Sequence, residues 1–180
     1  ADFFTVELWK WGGLVRYHGL FVIRLSSRTV QIAGIAPEPD GRWMRQVGRN
    51  LNDCVDGYLC GCRHLIHDRS TLFTKESLSI LEAAGVKSVR LAARSPNLNA
   101  FAERFVRTIK EECLDRMILM GEGSLRRAVG QFCEHYHRER NHQGLENKII
   151  EPEFGSAKEG EVNCRERLGG LLCHYYRDAA

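Results

Sequence analysis

Residues 64–103 read HLIHDRSTLFTKESLSILEAAGVKSVRLAARSPNLNAFAE, and this stretch decides the fold. His64-Leu65-Ile66-His67 is a short apolar run that predicts a buried strand ending at Asp68. Thr74 predicts a helix cap, Leu78 and Leu81 supply the apolar side of that helix, and Gly85 stands where a left-handed stop is needed. Val86 to Leu91 predicts a second strand. Ser95-Pro96-Asn97 predicts the start of a long helix that runs to about Asp115. Strand and helix therefore alternate, which places helices against the faces of a sheet.

Outward from this stretch the pattern changes. Asp2 to Leu8 carries Phe3, Phe4, Thr5 and Val6, all strand formers. Gly12-Gly13 breaks that run. Leu14 to Leu25 and Thr29 to Ala36 read as two further strands, so three consecutive strands with short turns predict an antiparallel meander. Pro37, Pro39, Asp40 and Gly41 mark a loop. Asp40 then predicts a cap for a helix from about Arg42 to Val55, with Trp43, Val47, Leu51 and Cys54 on one face. Ser124 predicts the cap of a last helix ending near Arg140. Beyond Pro152 the chain is glycine-rich and charged, with no element assigned. The order β-β-β-α-β-α-β-α-α predicts an α/β domain built on a mixed sheet.

Composition narrows the class. With 180 residues, 43% hydrophobic and 27% charged, the chain suits one globular domain, two at most, with a real core. No run approaches the ~18 apolar residues of a membrane helix. The N-terminus has no basic segment before its apolar residues and so does not read as a signal peptide. The net charge of +3 permits a nucleic-acid partner without demanding one. Seven cysteines, an odd number, predict reduced thiols that serve mostly as small core residues.

The acids carry the chemistry. Asp2 opens the first strand, Asp68 ends the short apolar strand, and Glu103 lies in the first turns of the long helix. One helix, one strand and one turn fit between Asp68 and Glu103, enough to return the chain to the same sheet edge. Three converging carboxylates repel unless a cation neutralises them. Hard oxygen ligands suit Mg²⁺ or Mn²⁺. On spacing alone the pattern is weak, because the chain holds 23 acids, most of which belong to solvated faces.

The flanks add specificity. RSPNLNAFAERFVRTIKEECLDR (94–116), HDRSTLFT (67–74), DFFTV (2–6) and YHRERNHQGLENKIIEP (136–152) resemble the catalytic core and following signature of DDE transposases and retroviral-type integrases, notably those of bacterial insertion sequences. The resemblance implies a ribonuclease-H-like, mixed five-stranded sheet flanked by helices. It implies Asp2, Asp68 and Glu103 as catalytic residues and as ligands of two Mg²⁺ or Mn²⁺ ions. It implies phosphodiester hydrolysis at element ends and 3′-hydroxyl strand transfer into target DNA. It further implies a homo-oligomer acting on DNA in a bacterial cytoplasm, without membrane or small-molecule cofactor. Residues 1–150 would be the core and 151–180 a C-terminal extension. Only Ala1 precedes Asp2, so the core is expected to be N-terminally truncated.

Helix periodicity extends the site. Asn99, Arg107 and Lys110 fall on the Glu103 face, a row suited to DNA phosphates, with Arg104 beside it. Phe101, Phe105, Ile109 and Cys113 form the expected core stripe. His135, His137, Arg138, Arg140, Asn141 and His142 form a polar cluster, where the resemblance implies DNA contacts, with Arg140 and His142 the candidates. The plainer account of that cluster is a solvated helix terminus. Three alternatives remain: a non-catalytic transposase remnant that binds DNA or assembles, a structure-specific nuclease, and a zinc module on Cys60, Cys62, His64 and His67. The last has poor ligand spacing, and a strand there points His64 and His67 to opposite faces.

Overall fold

Alternation sets the first strand. In β1 (Asp2–Lys10) the residues Asp2, Phe4, Val6 and Leu8 share one face, and Phe4 and Leu8 are fully buried. The computed structural model describes residues 1–92, 99–153 and 160–177. β1 pairs with β2 (Gly13–Ile23), which pairs with β3 (Val30–Ala36). The links of two and six residues are too short for a parallel crossover, so this is the expected meander. Gly19 on β2 is required by packing. A Cβ there would stand 2.2 Å from the Phe4 ring.

α1 (Gly41–Leu51) starts as the sequence predicts, with Asp40 Oδ1 accepting from the Trp43 amide at 2.7 Å. It ends four residues earlier than expected. Met44, Val47, Gly48 and Leu51 form the buried face, while Cys54 lies exposed beyond the helix. β4 (His64–His67) and β5 (Lys87–Arg90) pair in parallel, and α2 (Lys75–Ala83) lies between them in sequence. Thr74 Oγ1 caps α2 by accepting from the Ser77 amide, and Gly85 takes a φ of +80° after it.

The five-stranded sheet is not formed as one ladder. The described strands make a three-stranded sheet, the two-stranded β4–β5 sheet and a separate two-stranded one. β1 and β4 meet where the Ala1 nitrogen donates to the Ile66 carbonyl at 2.6 Å. Below that point β1 belongs to the meander alone.

α3 (Ala100–Glu112) follows, then α4 (Gly121–Arg138). The start expected for α3 at 95–97 lies outside the described residues. Phe105, Ile109 and Cys113 are buried as expected, but Phe101 is exposed, and Ala102 and Thr108 complete the stripe instead. α4 begins three residues before Ser124, which is no cap. Its hydroxyl donates to the Gly121 carbonyl from inside the first turn. The glycine-rich tail forms an unexpected hairpin, β6 (Val162–Arg167) with β7 (Leu172–Arg177).

The chain forms two compact units. Ala1–Glu7, Val15–Ile23 and Gln31–Val106 make the first; Leu8–Leu14, Arg24–Val30 and Arg107–Ala180 make the second. The core of the first gathers Leu20, Val22, Met44, Val47, Leu51, Leu65, Leu81 and Val86. In the second, Leu125, Ala128, Val129 and Phe132 form the buried stripe of α4. The cysteines do not serve the cores as expected. Only Cys113 is buried, and Cys54, Cys60, Cys164 and Cys173 are exposed. Trp9 and Trp11, at the β1–β2 hairpin, are exposed, whereas Trp43 is half-buried. No helix among the described residues is long and apolar enough to cross a membrane.

Candidate active site

Asp2 projects from the β1 face that also carries Phe4. Phe4 stacks toward Phe21 of β2, and Phe21 meets Phe105 of α3 at 4.7 Å between ring centroids. These rings fix the N-terminal half of α3 against the Asp2 face, two residues from Glu103. Asp2 is itself tightly held. Its Oδ1 accepts from the Phe3 amide at 2.7 Å and its Oδ2 from the Asn99 side-chain amide at 2.6 Å. Asn99 was expected to serve DNA. The structure gives its amide to Asp2, a contact across 97 residues that no local signal announces.

Asp68 stands just past the end of β4, beside the start of β1. Its Oδ1 accepts from the Ser70 amide at 3.2 Å, an Asx turn that bends the chain away from the sheet. His67 behind it is buried. Its Nδ1–H donates to the Asp68 carbonyl at 2.7 Å, and its Nε2 accepts from the Ser88 hydroxyl at 2.8 Å. Phe73 covers the imidazole at 4.2 Å and meets Phe3 edge-on at 6.1 Å. Rings next to each acid thus lean on a common Phe73. His67 is a support of the Asp68 backbone, held neutral chiefly by burial.

Burial pushes the Asp2 carboxyl above its ordinary value, and the nearby Asp68 charge pushes it further. The Phe3 and Asn99 hydrogen bonds oppose the rise without cancelling it. A buried carboxylate whose proton affinity a neighbouring carboxylate raises is a fit for a hard divalent cation. Glu103 is exposed on α3. The oxygens of Asp2, Asp68 and Glu103 are not all within 4.8 Å of one another.

Arg107, exposed, and Lys110, half-buried, continue the Glu103 stripe along α3, and Arg104 is exposed beside it. Arg140 and His142 each make contacts within the protein. Arg140 grips Glu112 in a fork, Nε to Oε2 at 3.0 Å and Nη2 to Oε1 at 2.7 Å. His142 is buried, with Nε2–H donating to the Tyr136 carbonyl at 2.7 Å. His135 and His137 of that cluster also have partners inside the protein, whereas Asn141 is exposed. His137 Nε2 accepts from the Val30 amide at 2.9 Å. His135 pairs with the buried Glu139, which also takes Arg167 in a fork. Burial alone would raise the Glu139 carboxyl, but the Arg167 and His135 hydrogen bonds outweigh it and hold it at about 2. The alternative zinc cluster does not assemble among the described residues. Cys60 donates its thiol to the Asp53 carbonyl, His64 is exposed, and His67 is buried.

Residues 84–149 match the family described as the integrase core domain, a segment that includes Glu103 and ends just before Ile150. No curated protein shows significant similarity to the chain. Among solved structures, the fold matches a chain of the cryo-EM structure of the simian T-cell lymphotropic virus intasome in complex with PP2A regulatory subunit B56 gamma. The TM-score is 0.54 at 11% identity, over 98% of this chain and 66% of that one. The chain thus spans just under two-thirds of the length of its structural neighbour. Residues 84–149 are thus similar to an integrase core domain, and the structural neighbour shows a shared fold.

Proposed function

From an integrase-type core, we propose that this chain is the catalytic part of a DNA transposase, with residues 1–150 as the ribonuclease-H-like core and 151–180 as its extension. The observation that carries this is the meeting of Asp2 and Asp68. They lie 66 residues apart in sequence, yet Asp68 raises the proton affinity of Asp2 at the junction of β1 and β4. Asp2, Asp68 and Glu103 would hold two Mg²⁺ or Mn²⁺ ions. Bound there, such ions would supply activation of an attacking oxygen and stabilisation of the leaving oxygen of a phosphodiester.

The protein residues then divide the work. Asn99 orients the Asp2 carboxylate by donating to Oδ2, and His67 fixes the backbone that carries Asp68. Arg107, Lys110 and Arg104 grip phosphates and set the register of the duplex. Arg140 and His142 hold the C-terminal end of α4 and leave DNA to those three. The reaction is hydrolysis at an element end, followed by attack of the freed 3′-hydroxyl on target DNA. Paired ends favour a homo-oligomer, and DNA is the partner.

Mn²⁺ titration by calorimetry tests the site. Binding should fall in both Asp68→Asn and Glu103→Gln, with unchanged far-UV dichroism. Binding undiminished in both variants would remove the acids from the mechanism and leave a DNA-binding remnant as the better account.

A further inference from the structure

The C-terminal hairpin carries a cluster that the acids of the core do not explain. β6 and β7 are antiparallel, with Glu166 opposite Cys173 and Cys164 opposite Tyr175. Strand alternation therefore puts Cys164, Glu166, Cys173 and Tyr175 on one face, and all four are exposed. The opposite face carries Arg165 and Arg167, which anchor the hairpin on Glu139. One face holds the hairpin in place while the other is free to bind.

The ligand atoms are already close. The Cys164 and Cys173 sulfurs and a Glu166 carboxylate oxygen all lie within 4.8 Å of one another. The turn keeps them there. Leu168, Gly169 and Gly170 have φ values of 53°, 67° and 87°, a left-handed run that fixes how β7 returns. A Cβ on Gly170 would stand 3.6 Å from Glu166 Oε2, so the carboxylate lies over the turn. The Cys173 thiol donates to the Gly170 carbonyl at 3.4 Å, which sets its sulfur on the same side.

We propose that Cys164, Glu166 and Cys173 form a site for a thiophilic divalent cation, Zn²⁺ being the natural occupant, with the fourth position open to water. Two sulfurs at about 2.3 Å and an oxygen at about 2.1 Å from Zn²⁺ sit about 3.5–3.8 Å apart in a tetrahedron. Small side-chain rotations close the observed cluster to that size. A thiolate pair selects Zn²⁺ over the hard Mg²⁺ and Mn²⁺ that suit the carboxylates of the core. A disulfide fits less well. The two cysteines are diagonal rather than opposed, and diagonal Cα atoms stand about 7–8 Å apart, at the limit for a bridge. The site is independent of the proposed activity.

The test uses the whole chain, reduced, with Co²⁺ as the spectroscopic probe. One equivalent should raise a thiolate-to-metal absorption band with tetrahedral visible bands, and one equivalent of Zn²⁺ should abolish both. Cys164→Ser and Cys173→Ser should each lose the band, and Glu166→Gln should weaken it. Cys54→Ser and Cys60→Ser should leave it unchanged. These side chains are exposed, and far-UV dichroism checks that every variant folds. A band that survives both Cys164→Ser and Cys173→Ser overturns the proposal. So does the absence of any band in the reduced protein, with a Cys164–Cys173 disulfide appearing on exposure to air.

Discussion

The Asn99 amide meets Asp2 Oδ2 at 2.6 Å, and that bond ties the entry of α3 to the first residue of β1. Orienting groups of this kind typically set metal affinity by about 10–100-fold. Asn99→Ala should therefore weaken Mn²⁺ binding by at least about tenfold in calorimetry while leaving the unfolding midpoint nearly unchanged. Arg107 makes a different prediction. It is exposed, so its removal should cost little stability. Arg107→Ala should weaken binding to DNA of any sequence alike. By fluorescence anisotropy across a salt series, the slope of log K against log salt should shrink by about one.

Elements were legible wherever a local rule set them. Asp40 and Thr74 announced two helix starts because a capping side chain acts within three residues. The β4 and β5 strands were legible as short runs between turn residues. The β6–β7 hairpin was not, because β6 carries Asn163, Arg165 and Arg167 on one face and Glu166 on the other, and no apolar alternation betrays the strand. Leu168-Gly169-Gly170-Leu171, between two six-residue runs, was the available signal. Asp2, Asp68 and Glu103 stood out through their flanks. Asn99 on Asp2 did not, since a contact across 97 residues leaves no trace in spacing. The contacts of Arg140 with Glu112 and of His142 with the Tyr136 carbonyl were not legible, because a polar cluster at a helix end looks the same whether it faces solvent or supports a turn. Packing gives a prediction at this scale too. Gly19→Ala drives a Cβ into the Phe4 ring and should cost about 1–3 kcal/mol in urea unfolding.

The molecule as a whole should be acid-sensitive in two steps. Burial lowers His137 and His142 below their ordinary value of 6.5, so the unfolded chain takes up protons first and stability falls as pH drops below about 6.5. Glu139 acts lower. Its folded carboxyl sits at about 2 against an ordinary 4.5, so its contribution is complete above 4.5 and is lost as pH falls from 4.5 toward 2. Urea midpoints across pH 7.5 to 2.5 should show both declines. Glu139→Gln should flatten the second and cost about 3 kcal/mol at neutral pH, since it leaves Arg167 and His135 without their buried partner. An unchanged profile in that variant would mean the hairpin is held by something other than Glu139.

The three tryptophans divide unevenly between water and protein. Trp11 is fully exposed and Trp9 more than half, so their indoles emit at long wavelength whether the chain is folded or not. Trp43, on α1 with its ring against Gly34 of β3, is the indole whose surroundings change most on unfolding. Intrinsic fluorescence will therefore register a small transition on a large constant background, and Trp9→Phe with Trp11→Phe would turn the same measurement into a clean reporter of the first unit. In the unsubstituted chain the two hairpin indoles serve another purpose: a blue shift that grows with protein concentration would signal that copies of the chain cover this tip when they meet.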